Sequence, residues 1–454
     1  MAEFKKKRSL WLVVEGVGDV VNSRYLRALG ELRDSHANGR KIRVTFVDRS
    51  QYWKDDPELA KKMTAIINNV KKMGFEYLDK SVPADENMWR GLAPDFVIIA
   101  TPDRTHVEVT KTWLQHPREP KAIFIEKPLD VSREAAFDLL GEVDPFDNRV
   151  LAFDHYRARM LSDLEQKRHV IRFLGGGISK FIFYLLEDHS GSDAAFRAKM
   201  QKGTSQRQGP IENEQRVKTL NEGVILDLMP HVVSILAHFG PPALLRVTAV
   251  RAGQYVGVDG SDAKRTEIAN ETFAEVHFIC PDHRKNVIEG TVYLGKGIRG
   301  SKDLNLKYQN NYDRDTKLLE VEGLNDNRIL FDLRSAGAGA SRAQFVHRED
   351  GVVEEVLLNV DPYLAFFKKI ADRTYLRDEL ALNVEVGKNV LDVIYNMRLP
   401  VVMHERPLST YPCGIENKRE SPYLEDLIKG GMHPLDLIFA SPSVRKTLTA
   451  SNSE

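Results

Sequence analysis

Four apolar runs in the first 130 residues, each with a helix-spaced stretch after it, constrain the fold more than any other feature of the chain. The runs are "LWLVVEG" (10–16), "KIRVTFVD" (41–48), "DFVIIATP" (95–102) and "AIFIEKP" (122–128). Between and after them lie "VNSRYLRALGELRDS" (21–35), "DPELAKKMTAIINNVKKM" (56–73), "THVEVTKTWLQ" (105–115) and "SREAAFDLLGEV" (132–143), with apolar residues at helical spacing. A strand that is apolar at nearly every position has both faces covered. Strands of that kind alternating with helices predict a parallel sheet between two helical layers. Residues 1–150 are thus expected to form a doubly wound, Rossmann-type α/β domain.

After about residue 175 the pattern changes. "SKFIFYLLED" (179–188), "ALLRVTAVRAG" (243–253), "ETFAEVHFIC" (271–280), "NVIEGTVYLGKG" (286–297), "LNLKYQNN" (304–311), "DTKLLEVEGL" (315–324), "RILFDLRS" (328–335) and "GVVEEVLLNV" (351–360) follow one another with turn signals and little helix between them. They predict an α+β domain over 151–405 built on a large, mainly antiparallel sheet, with helices at 361–373 and 381–398. A C-terminal segment, 406–454, is expected to pack back on that domain, with a disordered end at "TASNSE". The polar stretch 197–221 asks for no core and reads as a mobile loop. A chain of 454 residues exceeds one hydrophobic core, in keeping with two domains.

Charge and cysteine content narrow the function classes. The 65 basic and 65 acidic residues cancel, so no overall field favours nucleic acid or an anionic membrane. The run Lys5–Arg8 reads as a solvated leader rather than a localisation signal. Cys280 and Cys413 cannot build a disulfide framework or a four-cysteine zinc site, and no metal site is expected. No run reaches membrane-span length and no signal-peptide core precedes the first strand. The expectation is a soluble cytoplasmic protein.

In "VVEGVGDVV" (13–21), Gly16 and Gly18 follow the first strand, where a tight turn lets backbone N–H groups approach a pyrophosphate at a helix start. Val21 replaces the third glycine of the usual fingerprint, and a plain strand–helix turn is the alternative. Asp48, ending the second strand, can accept both hydroxyls of an adenosine ribose and would repel a 2′-phosphate; Arg49 beside it can grip that phosphate or stack on adenine. The cofactor is expected to be NAD or NADP, with NAD favoured by Asp48. Thr101 and Pro102, at the end of "DFVIIATP", would line the nicotinamide ribose; His106 there could equally be a helix-surface residue.

The chemistry-bearing candidates lie downstream. Glu126, Lys127 and Pro128 end a buried strand, and proline restricts Lys127 to extended backbone. A lysine held there can donate to a substrate hydroxyl; a surface pair with Glu126 is the bland reading. In "GVILDLMPHVVSILAHFG" (223–240), Asp227 reads as an N-cap and His231, four residues on, shares its side of the helix. His231 can take a hydroxyl proton. In "LAFDHYRARM" (151–160) an apolar strand runs into Asp154, His155 and Tyr156.

Together these motifs resemble the glucose-6-phosphate dehydrogenase family and, more loosely, the glucose–fructose oxidoreductase/inositol dehydrogenase (Gfo/Idh/MocA-type) superfamily. "IEKP" (125–128), "DHY" (154–156) and Asp227…His231 occur in that family's order. So do "GD" (18–19), "RS" (49–50), "YLGKGI" (293–298) and "TYPCG" (410–414). The resemblance implies His231 as general base, Asp154 orienting it and Lys127 on the reacting hydroxyl. It implies His155, Tyr156 and Arg159 on a substrate phosphate, and Glu187, Asp227 and Lys296 around the sugar. The cofactor would contact Gly16, Gly18, Asp19, Val20, Asp48, Arg49, Thr101, Pro102, Glu126 and Lys127. The family's "DHYLGKE" stands here as "DHYRARM", and "TPDRTH" (101–106) and "DLMPH" (227–231) look more like the sugar and inositol branch.

What the resemblance implies is an NAD(P)-dependent dehydrogenase oxidising a hydroxyl of a sugar or sugar phosphate. The alternatives are an oxidoreductase on an unphosphorylated sugar or cyclitol, and a non-catalytic dinucleotide-binding regulator. Expected partners are the small-molecule substrate and a second copy of the chain, as a homodimer or higher oligomer through the large sheet, with no nucleic acid and no membrane.

Overall fold

The computed structural model describes residues 9–35, 41–130, 132–142, 149–160, 164–187, 223–241, 244–256, 273–296, 316–333, 342–358, 361–372 and 405–407. These fall into two compact units, one holding the described residues of 9–160 and 361–372, the other those of 164–187, 223–358 and 405–407.

The first unit carries a sheet of β1 (Leu10–Glu15), β2 (Ile42–Asp48), β3 (Glu76–Asp79), β4 (Phe96–Ile99), β5 (Ala122–Glu126) and β6 (Val150–Phe153). Their order is β3-β2-β1-β4-β5-β6 and every pairing is parallel. The helices are α1 (Leu26–Asp34), α2 (Pro57–Lys72), α3 (Pro83–Arg90), α4 (His106–Leu114), α5 (Arg133–Glu142) and α6 (His155–Met160). The doubly wound expectation is met, for the reason the sequence gives: Leu12, Val13 and Val14 of β1 and all four residues of β4 are buried, so neither sheet face can meet water. Strand order reverses between β1 and β4, which opens a crevice at their carboxyl ends.

One turn departs from the expected helix. Val21–Tyr25 is π-helical and leads into α1, with Val21 and Tyr25 both fully buried. Tyr25 packs on Tyr363 and Phe367, with ring centroids 5.4 and 5.2 Å apart.

The second unit begins with α7 (Leu164–Phe173) and holds β7 (Ile178–Glu187), α8 (Gly223–Leu236), β8 (Arg246–Val256), β9 (Phe273–Pro281), β10 (Val287–Lys296), β11 (Thr316–Gly323), β12 (Arg328–Asp332), β13 (Arg342–His347) and β14 (Gly351–Leu357). α9 (Pro362–Asp372) belongs to the first unit, and β15 (Glu405–Pro407) to the second. Among the described residues the second sheet runs β14-β13-β12-β11-β7-β10-β9-β8-β15. β7 with β10 and β8 with β15 are parallel; the other pairs are antiparallel, so the sheet is mixed but mostly antiparallel. Phe181, Phe183, Phe278 and Val292 of this sheet are buried, and α8 packs on β9 and β10. Gly290 sits where a Cβ would lie 2.0 Å from the Phe278 ring, so the cross-strand position requires glycine.

The expectations for 197–221, 304–311, 381–398, 406–454 and "TYPCG" lie outside the described residues. Cys413 does too, whereas Cys280 is a buried free thiol that burial pushes up to about 12. No helix among the described residues is long and apolar enough to cross a membrane.

Candidate active site

The turn after β1 is shaped for close backbone approach. Gly16 has φ +101°, and a Cβ there would lie 2.5 Å from the Ala100 carbonyl oxygen, so the turn rests directly on the end of β4. Gly18 has open space at its Cβ position. Asp19 Oδ2 pairs with Lys62 Nζ of α2 at 2.5 Å, and Val20 packs on the core.

At the end of β2, the Asp48 carboxylate accepts from the Arg49 N–H at 2.8 Å and from the Trp53 indole N–H at 3.2 Å. Burial, helped by the Glu15 and Asp79 carboxylates, raises its pKa to about 6. The Arg49 guanidinium donates to the Tyr52 hydroxyl at 3.1 Å and pairs with Glu108 of α4 at 3.5 Å. Asp79 Oδ1 accepts the Ser50 N–H at 3.0 Å and Ser81 Oγ the Gln51 N–H at 3.0 Å, which tie the β2 loop to the β3 loop.

Beneath this edge lies a buried ion pair that sequence reasoning missed. Glu15, 2% exposed, ends β1; its carboxylate pairs with Lys80 Nζ at 2.7 Å and accepts from the Trp113 indole N–H. The Lys80 ammonium sits 3.9 Å from the Trp89 ring centroid. Burial holds Lys80 below the usual lysine range, with Glu15 pulling the other way. A carboxylate inside an apolar strand was a visible signal that a cation must pair with it; nothing in the local sequence says which one.

On the other side of the crevice, the Thr101 hydroxyl is buried with no hydrogen-bond partner among the described residues, and Pro102 O accepts from the Thr105 N–H at 2.8 Å. Glu126, ending β5, accepts from the Tyr25 hydroxyl, and the Lys127–Pro128 bond is cis. His106, open as a helix-surface residue in the sequence reading, is fully buried. Its Nδ1 lies 2.8 Å from Pro128 O and its Nε2 2.9 Å from Thr101 O. An open cradle at Gly18, a positive-φ Gly16 and the orphan Thr101 hydroxyl fit a bound dinucleotide.

Asp154, buried, stands at the junction of β6 and α6. His155 stacks on Tyr363 with centroids 5.6 Å apart, and Tyr156 is 4% exposed. Arg159 lies in α6.

In the second unit, Asp227 and His231 are 4% and 3% exposed and sit one turn apart in α8. Asp227 is no N-cap. α8 begins by Gly223, because Val224, Ile225 and Leu226 are fully buried and extend the apolar helix upstream of the aspartate. Pro230 is therefore inside the helix, where its ring offers no N–H to the preceding turn. Glu187 and Lys296 are Cα partners across the parallel β7–β10 pair, at the carboxyl ends of both strands.

Residues 16–152 match the model of the GFO_IDH_MocA oxidoreductase family, described as an NAD-binding Rossmann fold. No curated protein matches the sequence. Solved structures share the fold at low identity. The chain is 14% identical to the 3-ketoreductase KijD10 from Actinomadura kijaniata, solved with NADP and TDP-benzene, with a TM-score of 0.55 over 88% of this chain and 98% of that one. Levoglucosan dehydrogenase, solved with NADH and levoglucosan, is 15% identical, with a TM-score of 0.56 over 86% of this chain and 96% of that one. Glucose-6-phosphate 1-dehydrogenase from Mycobacterium avium is 14% identical, with a TM-score of 0.55 over 88% and 94%. The parallel six-stranded sheet followed by a mixed, mostly antiparallel one is the fold that the chain shares with these oxidoreductase structures.

Proposed function

We propose that this chain, whose residues 16–152 carry the NAD-binding Rossmann domain of the Gfo/Idh/MocA oxidoreductase family, is an NAD(P)-dependent dehydrogenase that oxidises a hydroxyl of a sugar or sugar phosphate. The observation that carries the reading is the crevice between β1 and β4, with its Gly16–Gly18 cradle and Lys127 at the end of β5, the neighbour of β4.

When bound, the nicotinamide supplies the hydride acceptor. Gly16, whose N–H donates to Val47 O at 2.8 Å, makes the tight turn; the Gly18 N–H would meet the pyrophosphate, and Asp19, Val20, Thr101, Pro102 and Glu126 would line its path. Asp48 and Arg49 face the adenosine ribose. Lys127 donates to the substrate hydroxyl oxygen and stabilises the charge that grows there as the proton leaves. The proton leaves to a base, for which the family resemblance names His231, and a carbonyl forms where the hydroxyl carbon loses its hydride. Glu187, Asp227 and Lys296 hold the other hydroxyls.

The finer likeness to glucose-6-phosphate dehydrogenases rests on "IEKP", "DHY" and Asp227…His231 and assigns His155, Tyr156 and Arg159 to a phosphate. A sugar without that phosphate fits the same fold equally well. Purified protein mixed with NAD or NADP and a panel of sugars and sugar phosphates decides by absorbance of the reduced nicotinamide. Turnover that disappears in His231→Ala supports the dehydrogenase. Tight dinucleotide binding with no turnover of any sugar supports a regulator. The proposal includes a homodimer through the half-buried face of the large sheet, where Tyr184 and Tyr293 stack at 5.0 Å; light scattering reads its mass.

A further inference from the structure

One buried histidine ties together the two loops that flank the crevice beyond β4. His106, the first residue of α4, has its two ring nitrogens 2.8 and 2.9 Å from the carbonyl oxygens of Pro128 and Thr101. A carbonyl only accepts, so the ring N–H of the imidazole donates to one of the two oxygens, the tautomer deciding which, and the ring spans the gap to the other. An imidazole set between two backbone acceptors, with no exposed surface, joins the chain segments on its two sides.

Neighbouring bonds extend the tie. The Val107 N–H reaches Asp130 Oδ2 at 3.4 Å, and Asp130 Oδ1 accepts the Ser132 N–H at 2.8 Å. The Glu126 carboxylate is held by the Tyr25 hydroxyl. Residues 126, 128 and 130 are thus each anchored, and Lys127 stands between the first two. Thr101 is fixed from the other side, since a Cβ on Gly16 would lie 2.6 Å from its backbone nitrogen. The ring links the ends of β4 and β5, and the turn after β1 rests on Thr101 beside it.

We propose that His106 is a positioning residue: by holding Thr101 O and Pro128 O together it sets the distance between the β4 loop and Lys127. It acts through Lys127 and does not touch substrate. The proposal rests on the dehydrogenase reading only for what Lys127 does; the tie between the loops is independent of it.

Hydrogen exchange by mass spectrometry on the full, unliganded chain tests the tie. In His106→Ala, peptides covering 100–107 and 126–130 should exchange faster, with those of β1 and β2 unchanged. His106→Asn keeps a side-chain N–H and should recover part of the protection, and it carries the test if circular dichroism shows His106→Ala unfolded. Unchanged exchange in both segments overturns the proposal. Turnover tests the positioning: His106→Ala should lower kcat on the order of 10- to 100-fold while dinucleotide Kd moves less than about 3-fold. In a Lys127→Ala background the same change should cost nothing further; additive losses overturn it. Should the native protein turn over no sugar, the dehydrogenase reading fails, and the exchange result still decides the tie.

Discussion

The two halves of the parallel sheet's carboxyl edge are held in opposite ways. On the β3-β2-β1 side the ties are charges: Lys80 on Glu15, and Asp48 crowded by Glu15 and Asp79. On the β4-β5 side His106 meets two backbone carbonyls and a tyrosine hydroxyl holds Glu126. A buried charge is costly once its partner goes, whereas a lost bond to a carbonyl costs the desolvation of one dipole. The charged half should therefore be the more fragile to deletion and the more responsive to pH.

Lys80→Met is the strongest way to break this contrast. It leaves the Glu15 carboxylate buried, with the Trp113 indole N–H still donating to it, and should cost about 3–5 kcal/mol in urea unfolding. A loss no larger than that of His106→Asn would erase the difference between the halves. Next comes Gly16→Ala, where φ +101° and the Ala100 oxygen both oppose a side chain. About 1–3 kcal/mol of stability and much of the dinucleotide affinity should go, read by melting and by fluorescence titration.

The pH contrast is sharpened at Asp48. Its folded pKa, about 6, lies above the ordinary carboxylate value, so the group favours the folded state when protonated. That contribution is complete below the ordinary value near 4 and is lost as pH rises through about 6. Asp48→Asn, which never ionises, should gain on the native protein between pH 4.5 and pH 8 in paired urea titrations; a constant difference across that range would refute the assignment. Trp53→Phe removes the indole donor and should move the same transition upward in pH. The smallest effect belongs to Arg43–Glu76, bonded at 2.8 Å but half-exposed, where a double-mutant cycle should give only about 0.2–1 kcal/mol.

How much of this was readable beforehand differs between the halves for a physical reason. Periodicity reports burial along one segment, so β1, β2, β4 and β5 and their order of succession are visible in the residues. Lys127 and the Gly16–Gly18 turn are visible too, because strand ends and glycines carry local constraints. Lys80 and Trp113 are not: their tie to Glu15 spans 65 and 98 positions, and no local pattern encodes such pairing. His106 looked ambiguous because a histidine at a helix start satisfies either reading until the cis turn at Pro128 is folded beside it. Asp227 was misplaced as a cap because the apolar residues before it resemble a strand as much as a helix.

α9 carries one more consequence. Phe366, Phe367 and Ile370 are fully buried in the core of the first unit, with Phe366 edge-on to Phe124 of β5 at 5.1 Å. On a ribosome the Rossmann strands emerge early, but the piece that seals them arrives only after the whole second sheet through β14 has been made. Until then Tyr25 and Phe124 lack their cover. A nascent chain stalled at about residue 350 should hold chaperones at that gap, and a chain cut there should aggregate rather than yield a free nucleotide-binding domain.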